Sequence, residues 1–115
     1  MNKYKELSDF EINKKVAINV GGFALSLMVF DEQNGVVKKN IPNIGSRVFT
    51  EFNPCHKPAD AMPIIIENGI SMVRVNNTWS ARQFNNHCIE INGDNYYRIA
   101  METYLLMKDS ENEKV

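Results

Sequence analysis

The apolar positions change period several times along the chain, and each change marks an element. From Leu7 the spacing is helical, and Ser8-Asp9-Phe10-Glu11 has the form of a capping box, with Leu7 and Ile12 placed as a hydrophobic staple. A helix is predicted over 9–19, with Phe10, the Lys14 stem or the Asn13 edge, Ala17 and Val20 in its core stripe, Ile12 and Val16 beside them, and Gly21-Gly22 ending it. The run 23–30 is rich in strand formers, and Asn34-Gly35 predicts a hairpin because both residues tolerate positive φ. A returning strand follows over 36–41, then a loop around Pro42 and a third strand or stub over 47–52.

Three prolines between Pro54 and Pro63 stiffen the approach to an apolar run, Ile64-Ile65-Ile66, that Gly69 can close. With Asp60 as N-cap, Pro63 falls in the first turn, where a missing N–H costs nothing, so this helix is predicted over 60–68. Alternation then predicts strands over 70–75, 78–84 and 87–91, joined at Asn76-Asn77 and Asn85-Asn86 and closed by Asn92-Gly93. A last helix is predicted over 95–108. Its nine apolar or aromatic positions exceed one buried face, which implies cover on two sides or a subunit contact. The expected fold is α+β: an antiparallel sheet of about four to six strands covered by two or three helices, forming a single domain with loose ends at 1–7 and 109–115.

Composition narrows the partners more than the fold. The 115 residues, 43% hydrophobic and 23% charged, suffice for one core. Thirteen basic against fourteen acidic residues give a net charge of −1, which argues against non-specific nucleic-acid binding. No apolar run reaches the roughly 20 residues that span a bilayer, and the amino end lacks the apolar core of a signal peptide, so a cytoplasmic location without membrane attachment is expected. That compartment makes Cys55 and Cys88 free thiols by default.

Several residue sets invite a chemical reading. Cys55-His56 and His87-Cys88 supply the ligand types of a zinc site, but adjacent residues on a strand face opposite ways, so no metal and no cofactor is expected. A thiol nucleophile beside a histidine has no flanking support, so no enzyme is expected. Asp60 and Glu67 read more simply as a cap and a solvated residue than as an acid pair. Gly21-Gly22 precedes a strand rather than a helix and is no phosphate loop. Trp79 reads as core before it reads as a ligand platform, and strand alternation separates it from Arg82. The loop 53–58 is either a strut for the helix or, through its N–H groups, a place for an anion. The candidate ligand-binding residues are Asn53 and His56 on that loop, joined by Arg74, Trp79 and Arg82 from the sheet.

Leu7 to Lys14, then Phe52-Asn53-Pro54-Cys55 leading through Pro58-Ala59-Asp60-Ala61 to Pro63-Ile64-Ile65-Ile66-Glu67-Asn68, resemble the NinX-like family of small bacteriophage proteins, and Tyr97 to Met107 is similar to that family's final helix. The resemblance covers about two-thirds of the chain in three blocks; Met62 stands where an aromatic is usual. It implies a phage origin, the host cytoplasm and an accessory role. The expected function is a non-enzymatic phage accessory protein that binds a host component, with counter-defence as its candidate role. The alternatives are a sponge for a small nucleotide-like signalling molecule and a structural homo-oligomer. The expected partner is thus a host protein or a small nucleotide-like ligand, with a homodimer or higher assembly through the last helix.

Overall fold

The computed structural model describes residues 2–21, 28–40, 48–84 and 87–113. The elements run α1 (Asp9–Gly21), β1 (Met28–Asp31), β2 (Val36–Asn40), β3 (Phe49–Glu51), α2 (Pro58–Glu67), β4 (Ser71–Val75), β5 (Thr78–Gln83), β6 (Ile89–Gly93) and α3 (Tyr96–Glu113). The fold is α+β, as expected, and the six strands of the described residues divide into two antiparallel sheets of three, β1-β2-β3 and β4-β5-β6. The predicted strand residues 23–27, the loop at Pro42 and the turn at Asn85-Asn86 lie outside the described residues.

α1 begins as its sequence requires: Ser8 Oγ accepts the Glu11 N–H at 3.1 Å, and Ser8 O accepts that of Ile12 at 3.0 Å. Its buried stripe is Ile12, Asn13, Val16 and Ala17, while Val20, expected inside, is exposed. The first hairpin forms, though not with the tight turn expected. Asp31 pairs with Val36 across four turn residues, Asp31 accepts both the backbone and the side-chain N–H of Asn34, and only Gly35 takes a positive φ, 64°. At the second hairpin Val75 pairs with Thr78, and Asn76 takes φ 55° in the intervening turn. Asn92-Gly93, expected to close the next strand, belongs to it, because Ser80 and Trp79 on β5 extend far enough to pair with both residues.

α2 departs from its predicted start. It begins at Pro58 with Lys57 as N-cap, and Lys57 O already accepts the N–H groups of Asp60 and Ala61 at 3.0 Å. Asp60 is therefore a first-turn acid rather than the cap, and Pro63 lies inside the helix. The far end is as predicted. Gly69 takes φ 62°, the Ile70 N–H bonds Ile65 O at 3.0 Å and the Gly69 N–H bonds Ile66 O at 3.3 Å, which is a Schellman closure.

α3 organises the domain. One side packs on β5 and β6, the other on α1 and α2, and α1 in turn packs on β2. Ile99, Ala100, Met101, Tyr104, Leu105 and Met107 are all buried within the one chain. The apolar excess that suggested a subunit contact is thus taken up by two layers of the same molecule. Nor is the amino end loose. Tyr4 is buried and donates its hydroxyl to Asp109 at 2.5 Å, and α3 continues to Glu113 rather than fraying after Lys108.

Candidate functional site

The loop before α2 is held from within. The N–H groups of His56 and Lys57 both bond Asn53 O, at 3.1 and 2.8 Å, the Cys55 N–H bonds Asn13 Oδ1 at 3.1 Å, and the Asn53 N–H bonds Asp60 Oδ2 at 2.9 Å. Pro54 and Pro58 have no N–H to offer. The Asn53 side chain accepts from Asn13 Nδ2 at 2.9 Å and donates to Glu51 at 3.4 Å. Four backbone donors and one side-chain amide of this loop are therefore engaged inside the protein, an arrangement suited to a strut.

His56 joins a larger network. Its Nε2 lies 2.5 Å from Asp9 Oδ2, and Asp9 Oδ1 accepts Arg98 Nη1 at 2.5 Å. Arg98, on the first turn of α3, also donates through Nε to Glu102 at 2.6 Å and through Nη2 to Tyr4 O at 3.0 Å and Leu7 O at 2.7 Å. Glu102 is buried and accepts a second bond from Asn2 at 2.6 Å. One guanidinium thus ties the amino end, the start of α1 and the start of α3 together. Burial pushes the Asp9 carboxyl up, but the bonds from Arg98 and His56 outweigh it and hold the group below the usual carboxylate range.

Cys55 sits at the base of this network and is unsuited to nucleophilic chemistry. Burial first, then the Asp9 charge, pushes its thiol up to about 12, and its Sγ points to Asp9 O at 3.9 Å. The neighbouring imidazole is turned to Asp9. Cys55 and Cys88 are both free, the first buried and the second exposed. Among the described residues no three His, Cys, Asp or Glu side chains are placed to hold a metal ion.

Arg74, Trp79 and Arg82 lie elsewhere, on the second sheet. Arg82 and Trp79 do fall on opposite faces: Arg82 donates to Ser80 Oγ at 3.0 Å and approaches Glu90 at 3.7 Å. Arg74 is the residue directly opposite Trp79 in the β4–β5 register, and its guanidinium stands 5.0 Å from the indole centroid. Trp79 meets Tyr96 edge-on at 4.8 Å, and Tyr96 meets Tyr97 at 4.9 Å. All three rings are half-buried and Arg74 is exposed, so the group forms a cation-and-aromatic face at the junction of β4, β5 and the start of α3. Among the described residues no hydrogen bond or ion pair joins this face to Asn53 or His56. The five candidate residues thus occupy two places.

Sequence reasoning missed Tyr96, Tyr97, Asp9 and Arg98. The spacing of Arg98 and Glu102, four residues apart on one helix face, was a signal for their pair. Nothing local signals the meeting of Trp79 with Tyr96, which the packing of α3 on β5 creates.

The family model described as Bacteriophage P22, NinX matches residues 3–108. No curated protein and no solved structure gives a significant match.

Proposed function

From a chain that belongs to the bacteriophage P22 NinX family, and is on that ground a phage accessory protein, we propose a non-catalytic role in the host cytoplasm: binding a host component, with counter-defence as its purpose. The observation that carries this reading is the Arg74–Trp79–Tyr96–Tyr97 face. Tryptophan, tyrosine and arginine are the residues that dominate binding energy at protein interfaces, and here they stand together half-exposed on rigid elements. Arg82 and Arg98 are paired with carboxylates, whereas Arg74 makes no ion pair among the described residues. A partner that presents an acidic side chain to its planar fork suits the face.

The test is capture from host cells with tagged protein, comparing the parent with Arg74→Glu. Arg74 is exposed, so the substitution should cost no more than about 1 kcal/mol of stability, the worth of its cation–π contact with Trp79, while removing the captured protein. Retention of the same partner by the variant would place binding on another surface.

The sponge is the second reading, supported by a groove of about 560 Å³ in which Lys39 stands over Phe52 and Lys108 over Tyr104. That size suits a small ligand, but Asp60 and Glu67 line the same groove and oppose a phosphate. Mass spectrometry of molecules released by heat from protein purified from infected cells separates the two readings.

A further inference from the structure

Among the described residues the second sheet has an unpaired edge. β4 stands at one end of the order β4-β5-β6, packs mainly on β5, and none of its residues is fully buried. Val75 and Thr78 flank the two-residue turn at Asn76-Asn77 and are the hydrogen-bonded pair that closes the hairpin. Bonded and non-bonded pairs alternate from there. Val73 and Ser71 therefore also bond β5, while the N–H and C=O groups of Met72 and Arg74 point away from it. Among the described residues no backbone bond from outside the hairpin reaches β4.

The same alternation puts Arg74 and Trp79 in a non-bonded pair, where side chains stand closest, and the guanidinium lies 5.0 Å from the indole centroid. Its N–H donors form a fixed planar fork, and among the described residues they meet no carboxylate or carbonyl. Met72 shares that face and packs half-buried against the core. An unpaired edge invites a second copy of the chain, and charge decides against it. Two β4 strands paired antiparallel over their whole length would set each Val73 against its own counterpart. The two Arg74 side chains would then be diagonal neighbours on one face, with backbones roughly 7–8 Å apart. Like charges oppose that pairing, whereas a carboxylate opposite Arg74 fits its fork.

We propose that β4 takes an extended segment of a partner protein as an additional antiparallel strand, with an Asp or Glu directly opposite Arg74 and an apolar residue opposite Met72. This rests on the reading of the Arg74–Trp79–Tyr96–Tyr97 face as a protein-binding surface, and it specifies what binds there. Main-chain bonds to Met72 and Arg74 supply the affinity, and the alternate side chains supply the choice of partner. Antiparallel pairing fixes the order: the segment carries its acid first and its apolar residue two positions later.

The probe is the blocked pentapeptide acetyl-Thr-Glu-Val-Ile-Thr amide, compared with the same peptide carrying Lys in place of Glu and with one N-methylated at Glu and Ile. Amide NMR shifts of the full chain, at constant ionic strength, are the readout. The expected result is saturable shifts at Met72 and Arg74 from the Glu peptide below about 10 mM, as a Kd of about 1 mM requires. The Lys peptide should bind about fivefold more weakly, the upper end for an exposed ion pair. The N-methylated peptide keeps the charge but cannot donate to β4, and it should not bind. Arg74→Glu should reverse the preference between the Glu and Lys peptides. No saturable shift from the Glu peptide, or equal binding of its N-methylated form, would overturn strand addition while leaving acid recognition by Arg74 to the capture experiment. Binding that needs the peptide N–H groups but shows no charge preference, in parent or variant, would instead overturn the role given to Arg74.

Discussion

Gly93 on β6 and Ile99 on α3 approach so closely that a Cβ on Gly93 would stand 2.7 Å from Ile99 Cγ2. Ile99 is buried and cannot swing into solvent. Gly93→Ala should therefore force α3 away from β6 and cost about 1–3 kcal/mol, the usual penalty of overpacking. Urea unfolding measures it directly. An unchanged midpoint would mean that α3 yields without cost.

Arg98 and Glu102 form the most enclosed ion pair recorded among the described residues, with side chains 13% and 6% exposed. Arg98→Met leaves the Glu102 carboxylate buried with only Asn2 as donor, and a loss of about 3–5 kcal/mol is expected. Adding Glu102→Met should recover part of it, because two apolar residues leave no buried charge. Recovery should be incomplete, since Arg98 also holds Asp9 and the carbonyls of Tyr4 and Leu7. A double-mutant cycle gives the coupling; a double variant no more stable than Arg98→Met would remove the pair from the account.

Asp9 makes the same network sensitive to acid. Its folded-state carboxyl is held below the ordinary value, so the stability that it contributes is fully present above the unfolded pKa of about 3.9 and is lost as pH falls through the lower folded value. Asp9→Asn lacks that contribution at neutral pH. The difference in melting temperature between parent and variant should shrink as pH falls below about 4. A difference that grew below about pH 4 would reverse the sign assigned to Asp9.

What the sequence made legible was local. Ser8 to Glu11 started α1, Gly69 closed α2, and the turns before Gly35 and at Asn76-Asn77 set two hairpins, because each of these is decided within a few residues. The site was legible only as residue types. Arg98 bonds Asp9 from 89 residues away, and the loop's N–H groups are satisfied by Asn13 and Asp60, partners that only the assembled fold supplies. The start of α2 was misplaced for a related reason. Helix-interior proline carries a cost of about 3 kcal/mol, which favours a start at Asp60, whereas the fold uses the Asp60 carboxylate to hold the Asn53 N–H and accepts Pro63 inside the helix.

Pro63 therefore offers a test with opposite signs for the two boundaries. It is exposed, so its replacement disturbs little packing. With α2 starting at Pro58, the N–H that proline lacks would bond the carbonyl of Ala59, and Pro63→Ala restores that bond and relieves the ring's contact with it. Against this gain stands the extra freedom of the unfolded chain, worth about 0.4–1 kcal/mol. The gain should prevail, making Pro63→Ala more stable than the parent by about 1–2 kcal/mol. With a start at Asp60, proline would sit in the first turn, where no bond is missing, and the same substitution would lower stability through the unfolded-state effect alone. Urea unfolding of parent and variant reads the sign, and a destabilised Pro63→Ala would move the start of α2 back toward Asp60.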